Sequence, residues 1–247
     1  MHGLPQTTEY PITGDFLAGR RQMLDADDRQ HLEWQFGEPQ MIADGQTLFA
    51  CGAPVQRATM LVEGFVFRVI RRQEKRFIVG VHVPGDFVDL HGFVLGALDH
   101  DVVAVGPARI AQIEHDRLTE VTGERPAIAS ALWFATLLDA SIHRQWIHNL
   151  QALDAPQRIA HLFAELHHRF TLIGRNVNRA LRTPFTQTDL ADMCGVSAIH
   201  ANRAVARLRD LGLAEIRRGD VYTVEWKAFE AYAGFDPAYL YGEPMSR

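Results

Sequence analysis

The chain has 247 residues, 47% of them hydrophobic and 22% charged, with a formal net charge of −5. These proportions exclude a disordered or collagen-like chain and leave room for one large or two ordinary cores. No apolar run approaches the ~20 residues of a membrane span, and Cys51 and Cys194 are too few and too far apart for a disulfide framework or a cysteine metal cluster.

The first residues, MHGLPQTTEYPITGDF, lack a basic stretch backed by an apolar one, so a reducing cytoplasm is the expected compartment. The charge is uneven: residues 1–154 carry −7 and residues 155–247 carry +2, which points to different partners for the two parts. Residues 13–36 place Phe16, Leu17, Leu24, Leu32, Trp34 and Phe36 at helical spacing, predicting one or two short helices. From 38 to 118 the texture changes to short Val/Ile/Phe-rich runs punctuated by glycine and proline: MLVEGFVFRVIRR, KRFIVGVHV and DHDVVAVGPARIAQIE. This pattern predicts an antiparallel sandwich or jelly roll with corners at Gly45, Gly52, Gly64, Gly80, Gly85 and Gly106.

Residues 126–153 read as one long helix opened by Pro126. Ile128, Ala131, Ala135, Leu138, Ile142, Gln145 and Asn149 recur at steps of three and four, a heptad-like stripe suited to pairing with a second copy. Trp133 and Trp146 fall on other faces and are expected against the sandwich. Asp154-Ala155-Pro156 breaks the helix as a hinge, and QRIAHLFAELHHRF opens a third region.

The richest segment is TQTDLADMCGVSAIHANRAVARLRDLGL, residues 186–213. Thr186 with Asp189 three residues on is a capping-box-like start for a first helix. Leu190 and Cys194 supply its apolar side, and Gly195 stands where the chain must turn sharply. Ser197 caps a second helix in which Ala201, Val205 and Leu208 face inward, leaving Ala198, Ile199, Asn202, Arg203 and Ala206 outside. Two short helices crossing at a glycine turn offer the second to a DNA major groove. AEIRR (214–218), a Gly219-Asp220 turn and VYTVEW (221–226) then read as a hairpin wing, with Arg217 and Arg218 at a tip able to touch phosphates.

A β-sandwich, a long helix and a winged helix-turn-helix in that order resemble the Crp/Fnr family of bacterial transcription regulators over residues 30–226. The helix-turn-helix segment carries most of the resemblance, followed by GFVFRV and VPGDFVDL in the sandwich. The resemblance implies an α+β fold. An effector roll with N-terminal helices (1–125), similar to a cyclic-nucleotide-binding domain, is followed by a dimerisation helix (126–153). A winged helix-turn-helix DNA-binding domain (154–247) ends the chain. It also implies a homodimer on a palindromic site in double-stranded DNA, and contact with RNA polymerase if the protein activates.

By that resemblance, bases are read from the positions held here by Ala198, Ile199 and Arg203, and phosphates are bound near Thr186, Gln187 and Ser197. Arg203 can bond bidentately to guanine, whereas Ala198 and Ile199 offer only apolar contact; Asn202 is the next candidate, for adenine. His200 is expected against a neighbouring helix or the wing. The ligand cassette departs from the family. Where cyclic-nucleotide binders place Gly-Glu and, further on, Arg-Ser, this chain has Asp89-Leu90 and His100-Asp101. Leu90 cannot accept a ribose hydrogen bond and Asp101 repels a phosphate, which argues against cyclic AMP in the usual mode. The cysteines of an iron–sulfur sensor are absent. Haem ligands exist in His82 and His91, but isolated sandwich histidines are usually structural. No cofactor is evident, and the effector, if there is one, is unidentified.

Two rival classes are weighed. A cupin-like metalloenzyme would need a His-x-His pair, and none occurs; Gly-x-Ser-x-Gly, Walker and HExxH motifs are also missing, so no catalytic or metal-ligating residue is assigned. The scatter of twelve histidines reads as solvated surface. An interaction module that has lost DNA binding is disfavoured by Ser197 and Arg203 standing in register.

Overall fold

The computed structural model describes residues 9–73, 75–175 and 180–242. Residues 1–8, part of the stretch read for a leader, and residues 176–179 of the third region lie outside them.

A 3-10 segment, Ala18–Met23, and helix α1 (Ala26–Glu33) form the N-terminal arm. Phe16, Leu24 and Leu32 are buried as the spacing predicts, whereas Trp34 stands 72% exposed. The roll that follows is one five-stranded antiparallel sheet. Strands β3 (Arg57–Arg72), β4 (Lys75–His82) and β5 (Asp101–Glu114) carry most of it, with β1 (Gln40–Ile42) and β2 (Thr47–Phe49) paired to β5.

β3 is buried from Ala58 to Val69 but for the half-buried Glu63 and Gly64, because both of its faces are covered. Phe65, Phe67 and Val69 pack outward against the C-terminal part, while Leu61 and Val66 fill the roll interior with Val88, Leu98 and Val102. Ala58, Met60 and Val62 meet the N-terminal arm and the long helix. β3 bends at register shifts flanking Gly64, which has φ +86°; a Cβ there would lie 2.6 Å from the Pro107 carbonyl oxygen. Of the six glycines expected as corners, five adopt positive φ. Gly80 does not: it sits inside β4 opposite Arg68, at a register shift.

Helix α2 (Gly92–Leu95) interrupts the roll, and α3 (His115–Glu124) leads from it to α4 (Pro126–Ala152). After two intervening residues, α5 (Ala155–Leu172) starts through a capping box in which Asp154 and Gln157 bond each other's backbone. A small three-stranded sheet then joins β6 (Ala180–Leu181), β8 (Asp220–Tyr222) and β7 (Glu215–Arg217) in that order. It packs with α6 (Gln187–Cys194), α7 (Ala198–Asp210) and α8 (Trp226–Ala233), and a 3-10 turn, Pro237–Leu240, returns to α4. The predicted second wing strand was too long. Val224 is almost fully exposed and Trp226 opens α8.

Candidate nucleic-acid interface

The turn between α6 and α7 is built from local chemistry. Thr186 donates its backbone N–H and hydroxyl to Asp189 Oδ2 at 2.8 and 2.7 Å, and its hydroxyl accepts from the Asp189 N–H at 3.1 Å. The Thr186 hydroxyl is thereby committed to the cap. Gly195 ends α6 in the left-handed region at φ +63°, and Ser197 caps α7 by accepting from the His200 N–H.

α7 is buried through Ala201, Ala204 and Leu208, with Val205 and Ala206 half-buried. Ala204, not Val205, is thus the middle inward residue. Ala198, Ile199, Asn202 and Arg203 are exposed, Ile199 by 65%. Arg207, one turn beyond Arg203, shares the exposed face; the i,i+4 spacing already present in the sequence marks it. His200 does not lie against a neighbour as expected. It is exposed, with Nδ1 3.0 Å from the Ser197 hydroxyl. Gln187 and Asn202 border one groove together with Glu215 of β7, so the start of α6, the face of α7 and the wing meet there. At the wing, Arg217 is held by Glu215 at 2.6 Å. Arg218 and Gly219 make the turn, both at positive φ, and the Gly219 backbone packs on Thr183 and Phe185. The turn falls one residue earlier than predicted.

This unit rests on the roll. Arg76 of β4 pairs with Asp189 at 2.6 Å and Asp192 at 2.8 Å, both on α6. Phe185 lies 5.1 Å from the rings of Phe65 and Phe67.

The four cassette residues are not gathered around a ligand space. Asp89 is fully buried and accepts from the Thr59 N–H at 2.7 Å; burial raises its pKa to about 7 against that hydrogen bond. His100 is buried with Nδ1 2.6 Å from Asp99. Asp101 accepts from the Cys51 N–H and from Arg71. Only Leu90 lines a cavity.

That cavity, about 120 Å³, lies between β4, the turn at Pro84–Phe87, α4 and the N-terminal arm. Its polar wall was not legible in the sequence. Arg68 reaches from β3 to Asp139 at 3.0 Å and to His143 Nε2 at 3.0 Å, both on α4. Asp86 accepts from Arg169 of α5; burial opposes its ionisation, yet Arg169 and His82 hold its pKa down at about 2. Burial lowers the pKa of His82 and, to about 4, that of His91. Arg169 also faces Glu165, which accepts from Tyr239 at 2.8 Å and Trp146 at 3.1 Å. Polar groups therefore run from the cavity into α5. His82, His100 and His161 are buried, so the histidines are not all the solvated surface the sequence suggested.

α4 reverses another expectation. Ile128, Ala131 and Asn149 are buried and Ala135, Leu138, Ile142 and Gln145 half-buried against this same chain, three of them lining the cavity. Asn149 meets His161 of α5. The open face instead carries Ser130, Trp133, Leu137, Arg144 and Ile147, with Trp133 70%, Leu137 54% and Ile147 59% exposed. Trp133 does not pack against the sandwich, whereas Trp146 is half-buried on Glu165.

A recognition helix left bare beside a wing, on a chain whose other half encloses a cavity, defines a DNA-binding regulator of transcription. The comparisons agree. The Crp-like helix-turn-helix domain model matches residues 157–232, and the cyclic nucleotide-binding domain model matches residues 39–125. Electron transport regulator A of Shewanella oneidensis is 21% identical over 212 residues, 85% of this chain and 84% of that protein. The fumarate nitrate reduction regulatory protein of Klebsiella oxytoca is 23% identical over 185 residues, 74% of this chain and 73% of that one. The FixK2 structure from Bradyrhizobium japonicum shares the fold with a TM-score of 0.71 at 17% identity, over 79% of this chain and 96% of that chain. The chain belongs to the Crp/Fnr family of transcription regulators.

Proposed function

We propose that the chain binds a palindromic site in double-stranded DNA as a homodimer paired along the open face of α4. The observation that carries this reading is the stripe Ser130, Trp133, Leu137, Ala140, Arg144 and Ile147. It repeats at 3–4 spacing and presents large apolar side chains to solvent. A two-fold protein places two recognition helices about one DNA turn, ~34 Å, apart. Arg203 reads a guanine, Asn202 an adenine, and Ala198 and Ile199 touch thymine methyls. Gln187, Ser197, Arg217 and Arg218 contact phosphates; Thr186 contributes by fixing the cap. The roll, residues 1–125, and the DNA-binding part, residues 154–247, then act as sensor and output joined by the helix 126–153.

The cavity, rather than the cassette of Asp89, Leu90, His100 and Asp101, is our effector site. A small molecule there meets Arg68 and Asp139 and, through Asp86 and Arg169, biases the position of α5. The relatives reported above are regulators, which supports a non-enzymatic role. No helix among the described residues is long and apolar enough to cross a membrane. We place the protein in the cytoplasm, in contact with RNA polymerase where it activates.

Selection of genomic DNA fragments by the purified full-length protein, with Arg203→Ala in parallel, tests this. Wild type is expected to enrich a palindrome. Arg203→Ala should lose about 1–3 kcal/mol and relax one guanine per half-site. An equal loss on scrambled DNA would remove the base-reading role, and no enrichment by either protein, with or without small-molecule cell extract, would favour the interaction module.

A further inference from the structure

His91 precedes α2 and His100 precedes β5, so the fold brings two imidazoles together from opposite ends of the cassette. Their ring centroids are 5.2 Å apart. One donor atom from each of His91, Asp99 and His100 lies within 4.8 Å of the other two. Nε2 of His91 and Nε2 of His100 are both buried without a hydrogen-bond partner, and His100 is only 3% exposed. Buried polar atoms are nearly always paired, so two orphaned imidazole nitrogens in one cluster call for a missing ligand.

We propose that His91, Asp99 and His100 hold a divalent transition-metal ion of the Zn²⁺ class. Two imidazoles and one carboxylate suit such an ion, whereas Mg²⁺ and Ca²⁺ take oxygen ligands. Metal–ligand bonds of ~2.0–2.2 Å set donors roughly 3.4 Å apart around a tetrahedral ion, so Asp99, now 2.6 Å from His100 Nδ1, must shift toward the two orphaned Nε2 atoms. Asp99 can make that movement, because its side chain is 89% exposed and need only give up its hydrogen bond with His100. The positive charge of Arg68, which is felt at both histidines, is balanced by Asp139. Three protein ligands leave a fourth position for water or another small donor. The ion would tie α2 to the head of β5, and His91 also lines the cavity, so the site adjoins it. The proposal does not depend on the effector reading.

The test uses the untagged full-length protein titrated with Co²⁺, a spectroscopic stand-in, and then with Zn²⁺. One Co²⁺ per chain with visible d–d bands, displaced by Zn²⁺, is expected. His91→Gln and Asp99→Asn should each weaken binding at least ten-fold, and His148→Gln, an exposed imidazole on α4, should not. Asp99 is exposed, so Asp99→Asn keeps the fold even if a buried histidine variant does not. Absence of stoichiometric binding, or binding that survives both His91→Gln and Asp99→Asn, would overturn the proposal.

Discussion

Asp89 gives the sharpest test of the cassette as a structural clamp. Its carboxyl is fully buried, Oδ1 takes the Thr59 N–H at 2.7 Å, and Oδ2 has no partner. Burial lifts its pKa from 3.8 to about 7, the Thr59 hydrogen bond working in the opposite direction. The native chain therefore holds a proton between about pH 4 and 7 that the unfolded chain releases. The associated stability is present below the unfolded pKa and is lost as pH rises through 7. Two pH units of that window, from 5 to 7, amount to about 2.7 kcal/mol. Asp89→Asn imitates the protonated side chain at every pH. Urea unfolding of both proteins at pH 5 and pH 8 should show the variant gaining on wild type by about 3 kcal/mol at the higher pH. All other groups titrate in both proteins and cancel. A difference that does not change with pH would refute the reasoning and imply that Asp89 is hydrated.

Three further outcomes are expected. Leu137→Asp should convert a dimer to a monomer in sedimentation equilibrium with helicity unchanged. Burying one leucine per protomer contributes about 1.5–3 kcal/mol, so the association constant should fall by at least 100-fold, and an unshifted dimer would exclude this face. Arg76→Ala should cost about 1–3 kcal/mol in urea unfolding, because Asp189, 7% exposed, loses its cation; unchanged stability would mean that α6 is not held to β4. Gly64→Ala should lower the melting temperature through a cost of about 2 kcal/mol or more, since the new Cβ collides with Pro107 and the backbone stays at positive φ; a neutral result would contradict the bend in β3.

What was legible was what local spacing encodes. Thr186, Gly195 and Ser197 announce two capped helices because caps and glycine corners act over three or four residues. The long helix announces itself by an uninterrupted run after Pro126. Which face of that helix is open was not legible. Ile128, Ala131 and Leu138 form as good an apolar stripe as Trp133, Leu137 and Ile147, and only the roll decides which is covered. The cassette misled for a similar reason. Residue types alone show that Leu90 and Asp101 cannot hold a nucleotide, but not that Asp89 has turned to clamp the Thr59 backbone. Arg68 lies on a strand some seventy residues before Asp139 and His143, which are one turn apart on α4, so no local motif links it to them. Trp226 looked like a strand residue because aromatic and β-branched neighbours precede it; its place at the head of α8 depends on packing with Phe229 and His167.

The aromatic contacts between Phe65 and Phe67 of β3 and Phe170 and Phe185 of the C-terminal part bear on how this molecule can be taken apart. Each half supplies the layer that the other lacks. A fragment begun after Leu153 would carry two bare phenylalanines into solvent, and a fragment ended there would bare the outer face of β3. Excised pieces would therefore tend to clump rather than report on the intact regulator. A replacement deep in the roll could alter DNA affinity without touching any effector, simply by loosening the floor on which the recognition helix stands.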